Sequence, residues 1–356
     1  MGSADQKSTF YELQAANRRN SALLIFGFLL LVAFLGFGLD YFFLGFSPPG
    51  LPGPSDFGDG SGGDGGGGGG LPIPIATIGA LVFGAIYASQ SWFFGASQVL
   101  ASTSARPADP RIPDEKQYLN VVDEMAIAAG IPAPKAYVVP DPDPNAFAVG
   151  RDPAHASIAV TEGLLDALDR EQLQGVIGHE MSHVRNLDIR AMTLVTALFG
   201  AATLLSDIAR RGIYYGGSGS RGSRRSSRDG GGGGGLVLIL FLLWVLVAVL
   251  APIAARLLAM AVSRSREYLA DASAAELTRN PLGLAAALRK IAAAHDPTKL
   301  INQGSAHLCI TDPRGLRVNE RSGSAADLFG THPPIARRIA ILENMAGVVG
   351  ASAVEG

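Results

Sequence analysis

Apolar and polar positions along the chain fall into two regimes: long runs almost free of charge, and shorter segments of mixed character between them. No charged residue occurs from Ser21 to Leu39, and the apolar character continues past Asp40 to Phe46. A second uncharged run extends from Ile73 to Gly95. Each is long enough to cross a bilayer core of about 30 Å as a helix. The pattern predicts transmembrane helices over 21–46 and 72–95, after a polar tail at 1–20. The first run exceeds the apolar core of a signal peptide and no small-residue cleavage site follows, so it reads as a retained anchor. Residues 47–71, rich in glycine and proline with Gly65–Gly70 unbroken, predict a flexible loop.

Two further apolar segments, 191–208 and 236–260, flank an Arg/Gly-rich loop at 209–235. Between and after the runs the period changes. Pro113 to Gly130 has helical spacing with glycine as its stop. Ala136–Val139, Asn145–Val149 and Ala156–Val160 are short apolar stretches separated by turn residues, which predict strands. Thr161 to Leu168 predicts a short helix, and Asp169 followed by Gln172 is a capping signature for the next one, which the pattern carries onward into the third apolar run. Asn280-Pro281 opens another helix through Ala294, and a last helix bears Arg337 and Arg338. The expected fold is mainly α with a small β-sheet. It is a multi-pass membrane protein whose aqueous domain is built from 107–190 and 263–346.

Charge orients this arrangement. Lys7, Arg18 and Arg19 precede the first hairpin and Arg106, Arg111 and Lys116 follow it, while its loop has no basic residue. The positive-inside rule then places the N-terminus and everything after residue 95 in the cytoplasm. The loop at 209–235 breaks the pattern, with Arg210, Arg211, Arg221, Arg224, Arg225 and Arg228 against Asp207 and Asp229 at its edges. The third and fourth segments are therefore expected as a helical hairpin that dips into the cytoplasmic leaflet, its basic tip near anionic headgroups. The formal net charge of -2 gives no basic excess, so nucleic acid is not an expected partner; the lipid bilayer is. The single cysteine, Cys309, excludes an intrachain disulfide and a cysteine-rich metal site.

The remaining chemistry concentrates at His179-Glu180-Met181-Ser182-His183. On a helix, residues four apart share a face, so His179 and His183 can present two imidazoles to one zinc ion. Glu180, beside the first ligand, is placed to take a proton from water as general base. A third ligand is required. Spacing leaves Glu267, Asp271, Glu276, His295, His307 and His332 open; Glu267 and Asp271, four apart, can both face the metal helix, one as ligand and one fixing an imidazole.

His179-Glu180-x-x-His183, two apolar segments, then Ser263-Arg-x-Arg-Glu-Tyr-x-Ala-Asp271 resembles the HtpX family of membrane zinc metalloproteases, relatives of the CaaX prenyl proteases. Asn145-Ala146-Phe147-Ala148 and Thr331-His332-Pro333 also match family motifs. The resemblance implies a gluzincin-type zinc metalloprotease domain with one Zn2+ per chain. It implies His179, His183 and Glu267 as ligands, Glu180 as base and Asp271 as the carboxylate behind a ligand. It further implies Asn145 to Ala148 as an edge strand that pairs with substrate, and His332 as an oxyanion donor. The expected activity is cleavage of misfolded or damaged membrane proteins at the inner membrane, a stress-response role with unfolded proteins as substrates. A proteolytically silent adaptor and a prenylprotein protease are the alternatives. The Gly-rich loop and the Arg/Gly insert depart from the family pattern without touching its motifs.

Overall fold

The computed structural model describes residues 10–48, 73–194, 233–294, 300, 308–311 and 333–347. The expectations for the Gly-rich loop, for residues 195–232 and for His332 fall outside these residues. The chain divides into two compact units, Met1–Ala22 with Ser91–Ala197 and Arg256–Gly356, and Leu23–Gln90 with Leu198–Ala255.

The second unit contains most of α1 (Phe10–Phe43), the start of α2 (Ile75–Ser102) and the first half of α6 (Gly233–Thr278). Asn17–Phe43 and Ile75–Ser102 are long and apolar enough to cross a membrane, and only 22% and 17% of their most apolar stretches is buried. Core helices of that composition would be mostly covered; these present Phe26 and Ile86 outward. Asp40, the one acid in the first run, is buried and has a structural task. Its carboxylate accepts from the backbone N–H groups of Ala76 and Thr77 at 2.8 and 2.7 Å, closing the N-terminus of α2.

Of the two later apolar segments, most of the third lies outside the described residues, and the fourth lies in α6. Phe241 and Trp244 pack on Phe42 and Phe43, at the end of α1 that leads into the Gly-rich loop, and the Trp244 indole N–H reaches the Phe34 carbonyl. A Cβ at Gly38 would overlap the Trp244 ring, so glycine makes the notch that admits it. The fourth apolar segment thus packs against the far end of α1. It also continues unbroken into the polar stretch around Glu267 as one helix.

In the first unit, β1 (Arg106–Pro107), β2 (Lys135–Val139), β3 (Ala146–Val149) and β4 (Ser157–Thr161) form a mixed sheet in the order β1-β2-β4-β3. β2 and β4 are parallel and the outer pairs antiparallel. β4 is central and buried throughout, which explains its continuous apolar run. Helix α3 (Pro113–Ala129) ends at Gly130 with φ 68°, the left-handed stop that the sequence signals. After α4 (Glu162–Ala167), the metal-motif helix α5 (Arg170–Arg185) starts on a complete Asp169/Gln172 capping box. Helices α7 (Pro281–Ala292, capped by Asn280) and α8 (Ile335–Met345) complete the unit. Tyr118, Ile158, Leu173, Ile177, Leu284 and Leu288 fill the core between α3, the sheet, α5 and α7.

One expectation about α5 is overturned. The helix does not run on: it stops at Arg185, Leu187 takes a left-handed φ of 62°, and residues 188–194 are helical again. That break decides the geometry of the site.

Candidate metal centre

Helix α5 is buried from Val176 to Val184, so His179, Glu180 and His183 lie inside the protein. Facing them from α6 are Glu267 and Asp271, each 1% exposed. The His179 and His183 Nε2 atoms are 3.2 Å apart, and Glu267 oxygens lie 3.7 and 3.6 Å from them. A zinc ion in tetrahedral coordination, with bonds of about 2.0–2.2 Å, holds its ligand atoms roughly 3.3–3.5 Å apart. The three donors already have that spacing.

The opposite ring nitrogens explain why both Nε2 atoms converge. His179 Nδ1 lies 2.9 Å from Asp271, and His183 Nδ1 lies 3.1 Å from Asp188. Each carboxylate fixes the tautomer that turns Nε2 toward the shared point. Asp188 can do this only because the chain turns back at Leu187; a continuous helix would carry it away from His183. Its other oxygen accepts from Asn17 Nδ2 at 2.8 Å, and the same amide donates to the Asn186 carbonyl at 2.7 Å. Arg266 Nη1 stands 3.3 Å from Asp188 as well.

Arg338 of α8 closes the other side. It is 1% exposed, holds Asp271 through two hydrogen bonds of 2.8 and 2.7 Å, donates to the Ile310 carbonyl, and lies 3.4 Å from Glu267. Burial alone would raise the Asp271 carboxyl, but Arg338 and His179 hold it down at about 2. Burial would likewise lower His183; the Asp188 carboxylate beside it, with Glu267, pushes it up to about 9. His179 goes the other way, since burial and the Arg338 charge outweigh its bond to Asp271. Burial pushes Glu180 up to about 7. Neither Glu180 oxygen meets hydrogen-bond geometry with a described residue, and the Ala148 backbone only weakly favours its ionised form. A buried carboxylate left nearly free among the described residues, next to three converging donors, is what a metal with a reacting water needs.

The donor set therefore fits zinc. His179, His183 and Glu267 come together, Glu180 adjoins them, and Asp271 backs His179. Among the described residues Glu276 does not join the cluster, while His295, His307 and His332 lie outside them. Asn145 to Ala148 sit at the sheet's terminal strand, yet its outer side is partly taken. Phe147 bridges Cys309, and the Ala146 carbonyl accepts from Ile310 N–H at 2.9 Å. The sequence reading missed Asp188 and Arg338. For Arg338 a signal existed: Ile335, Arg338, Ile339 and Leu342 share one helical face, which makes the arginine a core-facing residue.

The sequence model of peptidase family M48 matches residues 113–346. A protease HtpX homolog of Caldanaerobacter subterraneus subsp. tengcongensis is 39% identical over 95% of this chain and 99% of its own. Another, from Streptococcus pyogenes, is 45% identical over 75% of this chain and 85% of its own. A crystal structure of S. mikatae Ste24p superposes with a TM-score of 0.45 at 17% identity, over 76% of this chain and 59% of that one. The match covers both halves of the buried cluster, from the helix with His179 to the helix with Arg338, and the chain belongs to peptidase family M48.

Proposed function

We propose that this protein is a membrane-bound zinc endopeptidase, with His179, His183 and Glu267 as ligands and Glu180 as general base. The observation that carries the reading is the convergence of three buried donors beside a buried carboxylate that has only the weak Ala148 backbone contact among the described residues. Zinc at this point would polarise the scissile carbonyl and acidify the attacking water. Glu180, poised near neutrality, accepts a proton at its carboxylate and delivers it to the leaving amine. Asp271 and Asp188 keep the two imidazoles aimed, and Arg338 keeps Asp271 ionised.

Substrate would lie along β3, where the Ala148 backbone adjoins Glu180; the Asn145–Phe147 end is already engaged by residues 308–311. The oxyanion role of His332 rests on family resemblance alone. Two apolar helices and the positive-inside bias support a multi-pass protein with a cytoplasmic active site. The resemblance supports misfolded or damaged membrane proteins as substrates.

Purified full-length protein should contain one zinc and degrade casein, with a chelator stopping both. Glu180→Gln should keep the zinc and lose at least about 100-fold in cleavage, because the donors survive and the base does not. Cleavage near the unmodified rate in that variant would remove Glu180 from the chemistry.

A further inference from the structure

Near the end of α2 the first unit contains a cavity of about 180 Å³. It shares no residue with the cluster above. Three cations line it, Lys135, Arg151 and Arg190, together with His155; no carboxylate does. Asp152 pairs with His155 and Arg151 at 2.7 and 3.5 Å but does not line the cavity. In a chain with a net charge of -2, a wall of one sign is a departure that calls for an anion.

The cations are held in place rather than splayed into solvent. The Arg190 guanidinium stacks over the Trp92 ring at 4.5 Å, and its Nε donates to the Arg151 carbonyl at 2.9 Å. Arg151 stands over Phe93 at 5.4 Å. Arg190 makes no ion pair among the described residues; Arg18 adds like charge beside it, and Asp152 offsets this only in part. Ser91 also lines the cavity, 2% exposed, its hydroxyl buried without a hydrogen-bond partner among the described residues. Snorkelling arginines and interfacial aromatics are ordinary at a membrane boundary. They do not ordinarily enclose a cavity with an unsatisfied buried hydroxyl.

The position selects the anion. With a rise of 1.5 Å per residue, a helix entering a ~30 Å core at Ile75 leaves it after roughly 20 residues, near Gly95. Ser91, Trp92 and Phe93 then lie about 3–6 Å inside that boundary, within side-chain reach of the headgroups. We propose that the cavity is a binding site for the phosphodiester headgroup of an anionic lipid, held by Arg151, Arg190 and the Ser91 hydroxyl. Cavities of about 150 Å³ accept a molecule as large as benzene, so a phosphate group fits. The proposal rests on the membrane reading of α2 and is independent of proteolysis.

Trp92 supplies the readout. Full-length protein in neutral detergent, in a Trp244→Phe background, would be titrated with short-chain phosphatidylglycerol, short-chain phosphatidylcholine or inorganic phosphate at constant ionic strength. Phosphatidylglycerol should change Trp92 emission saturably, with phosphatidylcholine at least about tenfold weaker. Arg151→Gln/Arg190→Gln should raise half-saturation about tenfold or more while zinc content stays unchanged. Should that pair fail to fold, Lys135→Glu at the exposed rim should still weaken binding about threefold. Saturation by inorganic phosphate at concentrations as low as the lipid's would overturn the lipid assignment. A response unaltered by these variants, or no saturable response, would overturn the site.

Discussion

Arg338 and Arg190 are both arginines drawn partly or wholly out of water, and their surroundings differ in kind. Arg338 is enclosed by acids: Asp271 takes two of its hydrogen bonds and Glu267 stands close by. Burial opposes its charge, and those carboxylates override the opposition. Arg190 has an aromatic face, a backbone carbonyl and another arginine near it, with only a minor opposing influence from Asp152. Its burial lowers its pKa with little to compensate. The first guanidinium has its counter-charge within the fold and acts as a strut. The second has its charge still to be answered, and that distinguishes a structural arginine from a receiving one.

Replacing the strut should have the largest effect. Arg338→Leu leaves Asp271 buried and uncompensated, so chemical denaturation of the zinc-free protein should show a loss of about 3–5 kcal/mol. A loss below about 1 kcal/mol would erase the contrast with Arg190. The pH dependence of the zinc-free protein comes next. His183 is raised to about 9, so its imidazolium contributes stability that is fully present below about 6.5. That contribution disappears as pH rises through 9. Glu180, raised to about 7, adds a loss of the same sign between about 4.5 and 7. His179, lowered, contributes with the opposite sign, but only below about pH 6.5. Melting temperature of zinc-free protein should therefore fall from about pH 6.5 toward pH 9, and zinc uptake near pH 7 should release protons; a melting temperature rising over that range would contradict both assignments.

Asp188→Asn should weaken zinc affinity about 10–100-fold in competition with a chelator, since the imidazole behind it loses its orienting charge. It should also flatten the part of the pH profile that belongs to His183. Asn17→Ala acts one bond further out and should weaken zinc about threefold or more. Arg190→Gln should do least: within about 0.5 kcal/mol of the parent in neutral detergent at low salt, or slightly more stable. A cost as large as that of Arg338→Leu would mean that Arg190 has a partner in the fold after all.

The cluster was legible in the sequence where one helix turn carried it. His179 and His183 are four apart, as are Glu267 and Asp271, and the Asp169 box and Gly130 stop are local signals that the structure repeats. Asp188 was not legible because α5 has helical character on both sides of it. The break depends on Leu187 adopting a left-handed conformation, which costs about 1–2 kcal/mol for a side chain of that kind and leaves no mark in composition. The cover on β3 was hidden for another reason. Cys309 meets Phe147 from a distant part of the chain, and no local pattern encodes such a pairing. Asp40 lies between: an acid ending an apolar run is visible, but its role as the cap of α2 needs the hairpin to close.

Asn17 gives the first membrane helix a hold on the metal centre. It is 5% exposed and donates to both the Asn186 carbonyl and Asp188. A catalytic fragment freed from α1 by a cut in the segment before α2 would take both acceptors with it and lose the donor. The Asn186 carbonyl would lose this donor, a loss of about 1–3 kcal/mol for a buried acceptor, and the Asp188 oxygen beside it would keep only Arg266 among the described residues. A shed protease domain would thus leave the bilayer already impaired. A peptidase cut loose from its membrane is a hazard to other proteins, and here the anchor doubles as the safety catch.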